Sequence, residues 1–231
     1  MIVLPGTDQQ LTFFKKNENP DGKIILIVGA GAEQIAVDLF ESGADVSVIV
    51  EDYDSLMNYR LLLGQEERIK IKLMDFTVTD YDDKTFDYVY AQASISDERR
   101  KFIIKELKRI LKDDGKLCIG EMALLEEEYP EVIGDIIERA GIDPLLSKDI
   151  ISYYESKNLL IEQNKNASDS LAEFYNLARL KLNESLGDLT EQELSYYKKL
   201  IKMIKHESNV FLKYGGDKYL GFYSLIMRKK N

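Results

Sequence analysis

Apolar residues in this chain follow two rhythms. Apolar runs five residues long, unbroken at 24–28 and interrupted only by Ser47 at 46–50, have the length of strands buried on both faces. Elsewhere apolar positions recur three and four apart, the period of an amphipathic helix. From residue 23 the two alternate: β 23–28, α 33–42, β 45–51, α 54–63, β 68–74, β 86–91, α 97–112 and β 116–121. The 68–74 run alternates Ile and Leu with Arg and Lys, which predicts a strand with one more exposed face. Helix 97–112 is expected to bury Phe102, Ile103, Leu107, Ile110 and Leu111. Asp113-Asp114-Gly115 is expected to end it, with the glycine in a left-handed cap. Such alternation predicts an α/β fold: a twisted, mostly parallel sheet with right-handed crossovers and helices on both faces.

The flanks read differently. Residues 1–22 are a lead-in, with Thr7 capping a brief helix through Lys15 and a turn at Asn19-Pro20-Asp21-Gly22. After residue 121 the pattern predicts helices near 130–140 and 147–156, and a short strand at Leu159-Leu160-Ile161. Two amphipathic helices follow with capping-box starts, Ser170…Glu173 and Thr190…Glu193. A Gly215-Gly216 turn then leads into a final strand, Tyr219–Arg228. One domain over 1–231 is expected, with a core at 23–121, a helical cover containing the sixth strand at 122–216, and the last strand within 217–231.

Composition narrows the function classes. A formal net charge of −10 disfavours a nucleic-acid partner. No run approaches the length of a membrane span, and the single cysteine, Cys118, sits in an apolar run; both fit a cytoplasmic protein. No Cys, His and Asp cluster has metal-ligand spacing, and the only histidine, His206, lies in a lysine-rich segment. Nine of the 14 tyrosines lie after residue 128, which suits either helix packing or a phenol-lined pocket.

The chemistry concentrates where the first strand ends. Val28-Gly29-Ala30-Gly31 breaks into a glycine turn, a helix follows, and the second strand ends in Glu51-Asp52. Glycines let backbone approach a ligand, a helix N-terminus offers free N–H groups, and an acid about 20 residues on can hold ribose hydroxyls. This is the layout of a nucleotide-cofactor site. The dehydrogenase fingerprint needs a further glycine where Gln34 stands.

Residues 24–121 resemble the class I S-adenosylmethionine-dependent methyltransferases, particularly the small-molecule (type 11-like) branch. Five landmarks carry the likeness in order: Val28-Gly29-Ala30-Gly31, Val50-Glu51-Asp52, Met74-Asp75-Phe76, Phe86-Asp87-Tyr88-Val89-Tyr90, and Glu106 through Leu117. The resemblance implies a Rossmann-like, seven-stranded sheet closed by an antiparallel last strand. It implies S-adenosylmethionine as cofactor and in-line methyl transfer to a small-molecule acceptor. By the same resemblance Gly29, Ala30 and Gly31 pass under the methionine part, and Glu51, beside Asp52, accepts from the ribose hydroxyls. Asp75 and the Phe76 backbone meet the adenine, and Ala91 and Gln92 lie beside the methyl group. Asp87 is expected to be structural.

No general base stands out. Glu121, at the end of the fifth strand, is eligible, and Tyr219 is a second catalytic candidate. Tyr153, Tyr175, Lys213, Tyr214 and Tyr219 are candidates for substrate contact. Exposed faces of the helices over 170–206 leave self-association open. Two other readings stay open: a cofactor-less binding protein on the same scaffold, since Ile27 and Glu33 depart from the family pattern, and a nicotinamide-dependent oxidoreductase, against which Gln34 speaks.

Overall fold

The structure, a computed structural model, describes residues 2–63, 68–187 and 190–230. After α1 (Gln9–Asn17) the chain alternates β1 (Ile24–Val28), α2 (Glu33–Glu41), β2 (Asp45–Val50), α3 (Tyr53–Leu63), β3 (Lys70–Leu73), β4 (Phe86–Gln92), α4 (Arg100–Ile110) and β5 (Leu111–Leu124). The second half holds α5 (Glu131–Ala140), β6 (Leu145–Leu146), α6 (Ile150–Ser156), β7 (Leu159–Asn166), α7 (Ser170–Leu186), α8 (Glu191–Tyr196), α9 (Lys198–Lys213) and β8 (Leu220–Lys229).

The strands form one sheet in the order β3-β2-β1-β4-β5-β8-β7. β1 to β5 run parallel, and β8 runs antiparallel to both β5 and β7. The sheet has eight strands rather than the expected seven, because the two-residue β6 pairs parallel with the end of β5. Two consecutive leucines are too short a run to announce a strand. The apolar runs of β1 and β2, the latter interrupted only by Ser47, are buried because helices cover both faces. α4 and α6 pack on one face, over a core that includes Leu26, Val89, Ile103, Leu107 and Ile119. α1, α2 and α3 pack on the other, over Phe14, Ile25, Ile35, Leu39 and Val48. A third core, from α5, α7, α9 and the start of β8, builds the helical cover.

Several local expectations are corrected. α4 ends at Ile110, and β5 begins at once with Leu111. Gly115 is therefore no left-handed cap. It lies at a strand irregularity, where a Cβ would meet the Asp87 carbonyl at 2.9 Å. Phe102 is 57% exposed, and the buried stripe of α4 is Ile103, Ile104, Leu107 and Ile110. Thr7 does not cap α1; its hydroxyl donates to Glu173 Oε2 at 3.1 Å. Ser170 lies inside α7 and donates to the Ala167 carbonyl, so no capping box forms there. The Glu193 side chain, the second half of the other capping box, lies outside the described residues. Asp87 is structural as expected, accepting from the Ile24 amide and from Lys112, both at 2.9 Å.

Because β1 sits between β2 and β4, crossovers leave it in opposite directions. The crevice above such a switch point is where open α/β sheets hold ligands.

Candidate functional site

A cavity of about 380 Å³ lies over the C-terminal ends of β1, β2 and β4. Its floor is Gly29 and Ala30 after β1, Glu51 and Asp52 after β2, Phe76 after β3, and Gln92 to Ser94 at the end of β4. Leu4 and Pro5 close one side. The opposite wall comes from the helical cover: Ile136, Ala140, Phe174, Tyr175 and Glu207, with Met122 and Leu220 from the strands. The volume falls within the range of small-molecule and cofactor pockets.

The glycine turn is held by contacts the sequence did not announce. Gly29 has φ +121°, and a Cβ there would stand 2.4 Å from the Ser94 Cβ, so only glycine fits. The close approach that the turn permits is thus to this chain's own Ser94. Tyr59 of α3 is fully buried; its hydroxyl donates to the Gly29 carbonyl at 2.9 Å and accepts from the Ala32 amide at 3.1 Å. One phenol therefore staples both sides of the turn. The only sequence signal for Tyr59 was an aromatic at a core position of α3. Gly31, also at positive φ, lies against Leu4 and lines a neighbouring hollow with Glu33 and Gln34 rather than this cavity.

Of the acids, Glu51 faces the cavity and is 26% exposed at its side chain. Its Oε1 accepts from the Phe76 amide and from Arg99 Nη1, both at 2.9 Å, and its Oε2 accepts from Arg99 Nη2 at 2.7 Å. Arg99, just before α4, is held on its other side by Asp97, and both carboxylates push the guanidinium pKa up. Asp52 lines the cavity, but both its oxygens are taken by Ser55, whose hydroxyl and amide hold its pKa below the usual carboxylate value. It is the N-cap of α3. The Asp75 carboxylate is exposed and turned into its own loop. It accepts from the Thr77 hydroxyl and amide, both at 2.7 Å, which lower its pKa, and it is not part of the lining. Its neighbour Phe76 does line the cavity.

At the end of β4 the expected pair is also divided. Ala91 is fully buried in the core under α4. Gln92 lines the cavity, but its amide donates to the Pro5 and Thr7 carbonyls at 3.0 and 2.8 Å and its oxygen accepts from Tyr90 at 2.6 Å. It ties the N-terminal segment over the site. Residues 1–22, read as a mere lead-in, therefore supply part of the cavity.

The two proposed catalytic candidates lie elsewhere. Glu121 is 0% exposed, on the α4/α6 face of β5. It accepts from Ser96 and Tyr154, and Arg100 Nε stands 3.0 Å away. Burial pushes its pKa up, against the pull of Arg100 and the hydroxyls. This is a buried ion pair joining α4 and α6 to the sheet, and it does not reach the cavity. The Tyr219 carbonyl accepts from Leu125 at 2.8 Å, and its side chain packs on the third core. Of the nine late tyrosines, Tyr175 alone lines the cavity among the described residues. Tyr153 lies over Arg100, and Tyr214 is exposed with Lys213. No group of three or more His, Cys, Asp or Glu side chains suited to a metal occurs among the described residues. None of the described helices is long and apolar enough to cross a membrane.

Residues 26–119 match a family model described as a methyltransferase domain. No curated protein matches the sequence. Among solved structures, a Geobacter sulfurreducens S-adenosylmethionine-dependent methyltransferase, in complex with S-adenosylhomocysteine, is 17% identical with a TM-score of 0.76 over 99% of this chain and 94% of its own. Haemonchus contortus phosphoethanolamine N-methyltransferase 2, in complex with phosphomonomethylethanolamine and S-adenosylhomocysteine, is also 17% identical, with a TM-score of 0.79. There this chain is covered over 99% of its length but spans only 54% of the relative. The [4+2]-cyclase SpnF, 20% identical with a TM-score of 0.75 over 96% of this chain and 80% of its own, has the same fold under a different reaction name. At these identities the likeness is one of fold. Over residues 26–119 the chain is similar to the methyltransferase-domain family, and as a whole it has the Rossmann-like fold of the S-adenosylmethionine-dependent methyltransferases.

Proposed function

We propose that this chain transfers a methyl group from S-adenosylmethionine to a small-molecule acceptor. The observation that carries the reading is the cavity itself: a hollow at the switch point of the sheet, with the glycine turn and the Glu51 carboxylate on its floor and a largely apolar helical wall opposite. Those groups fit the cofactor. Glu51 would hold the ribose hydroxyls, the Gly29–Ala30 backbone would lie along the methionyl part, and Phe76 would flank the adenine. Asp75 drops out as an adenine partner, since its carboxylate is committed to Thr77. Bound there, the cofactor supplies an activated methyl group on a sulfonium.

The protein's share is orientation and exclusion of water. Fixing two reactants in line supplies about 7–11 kcal/mol of barrier reduction. The stapled turn, the tied N-terminal segment and the wall of Ile136, Ala140 and Phe174 are suited to that task. The proposal covers 1–231 as one unit, without a nucleic-acid partner, in the cytoplasm, where the lone buried Cys118 stays reduced.

A second reading, a cofactor-less binding protein, is favoured by one feature: Arg99 already occupies the carboxylate that the ribose would use. Calorimetric titration of the purified chain with S-adenosylhomocysteine separates the two. Micromolar binding is expected; no heat at millimolar ligand leaves the second reading standing.

A further inference from the structure

The helical wall of the cavity carries one acid with no hydrogen-bond or ion-pair partner among the described residues. Glu207 of α9 joins the lining beside Phe174 and Tyr175. Its Oε1 is shut off from solvent without a hydrogen-bond partner. Neither oxygen forms a hydrogen bond or an ion pair within the described residues. The cation whose field reaches it, Arg139 of α5, is half exposed and stands 3.9 Å from Asp135 instead. The surroundings are apolar, from Ile136, Ala140 and Ile142. Burial accordingly pushes the carboxyl pKa up. Beside it the Tyr175 ring stacks on Phe211 at 4.7 Å between centroids and tilts against Phe174 at 4.9 Å.

A half-buried carboxylate with one oxygen sealed from solvent and unpaired opposes folding unless something restores its lost hydration. A bound cation does so, and aromatic faces reinforce it through cation–π attraction. An anionic ligand is repelled there, and a neutral one leaves the charge unanswered. We propose that Glu207 selects the methyl acceptor, and that the acceptor is an amine whose apolar body lies against Phe174 and Tyr175. The amine enters protonated, pairs with Glu207 and gives one proton to that carboxylate. The freed nitrogen lone pair then bonds the methyl carbon as the carbon–sulfur bond breaks, with its electron pair going to sulfur. This rests on the methyl-transfer reading above.

The test uses the full chain saturated with S-adenosylhomocysteine, titrated with panels of primary, secondary and tertiary aralkyl amines and their matched alcohols and carboxylates. Phenethylamine, 2-phenylethanol and 3-phenylpropanoate make one such set. Amines are expected to bind at least tenfold more tightly than their alcohols, and carboxylates not at all. Glu207→Gln should erase that preference while keeping S-adenosylhomocysteine affinity and a melting temperature no lower than wild type. If no amine outbinds its alcohol, or the preference survives Glu207→Gln, the proposal is overturned. It is also overturned if Glu207→Gln weakens S-adenosylhomocysteine binding tenfold while amine preference is unchanged, for then the carboxylate serves the cofactor. Failure of S-adenosylhomocysteine to bind the wild-type chain instead removes the parent reading, so the two failures are read separately.

Discussion

Replacing Arg99 by alanine should tighten cofactor binding, a counter-intuitive outcome for a residue beside the site. A carboxylate offers about four lone-pair directions. On Glu51, two are taken by the Arg99 nitrogens and one by the Phe76 amide. Two ribose hydroxyls need two acceptor positions, so at least one Arg99 bond must be given up when the cofactor enters. The guanidinium is 41% exposed and keeps Asp97 when it lets go. Such a half-exposed pair contributes about 0.5–1 kcal/mol. Removing it should lower the Kd for S-adenosylhomocysteine by about two- to fivefold.

Glu51→Gln, by contrast, replaces charge-assisted bonds worth about 1.5–3 kcal/mol and should weaken binding by roughly 10- to 150-fold. If Arg99 acts only through Glu51, the double variant should match Glu51→Gln alone, and the cycle should show that non-additivity. Calorimetry on the four proteins reads all of it. A Kd that is unchanged or raised in Arg99→Ala refutes the competition argument; a large rise would make Arg99 the residue that aims Glu51.

Other substitutions report on the scaffold. Glu121→Ala breaks the buried pair with Arg100 and should cost about 3–5 kcal/mol, lowering Tm by roughly 10 °C while S-adenosylhomocysteine affinity at low temperature holds; full stability with lost transferase activity would return Glu121 to the chemistry. Tyr59→Phe leaves the Gly29 carbonyl and Ala32 amide unsatisfied, a loss of about 1–3 kcal/mol visible in the denaturant midpoint, with weaker S-adenosylhomocysteine binding; no change in either refutes the staple. The Glu106 pKa is held at about 2, because Arg109 and Thr79 outweigh the upward push of burial. Since the folded value is below the ordinary 4.5, the stabilisation is present at neutral pH and is lost as pH falls from about 4.5 towards 2. Chemical denaturation across that window should show a steeper loss for wild type than for Glu106→Gln; parallel curves would refute it.

The cofactor half of the molecule was largely legible because its signals are local. Continuous apolar runs make buried strands, a glycine break makes a turn, and alternation with helices forces parallel crossovers that put β1 at the switch point. Glu51 follows from that logic, since it ends the strand beside β1. Asp75 satisfied the same spacing and still missed the cavity, because a local turn through Thr77 and Val78 claims its carboxylate. Glu121 ends a strand too, but the period-two alternation of β5 sends it to the α4/α6 face, with Ile119 and Ala123.

The amino-acid order alone thus determined the strand and helix alternation, the class of fold, the glycine turn and the acid at the end of β2, because each depends on neighbours a few positions away. Only the tertiary structure decided which side chains meet across the cavity. Tyr59 reaches the turn 30 residues back, Arg99 covers Glu51 from 48 residues away, and α9 turns Glu207 towards Tyr175. Those meetings are set by how helices pack on a twisted sheet, a geometry that no local pattern of residues encodes.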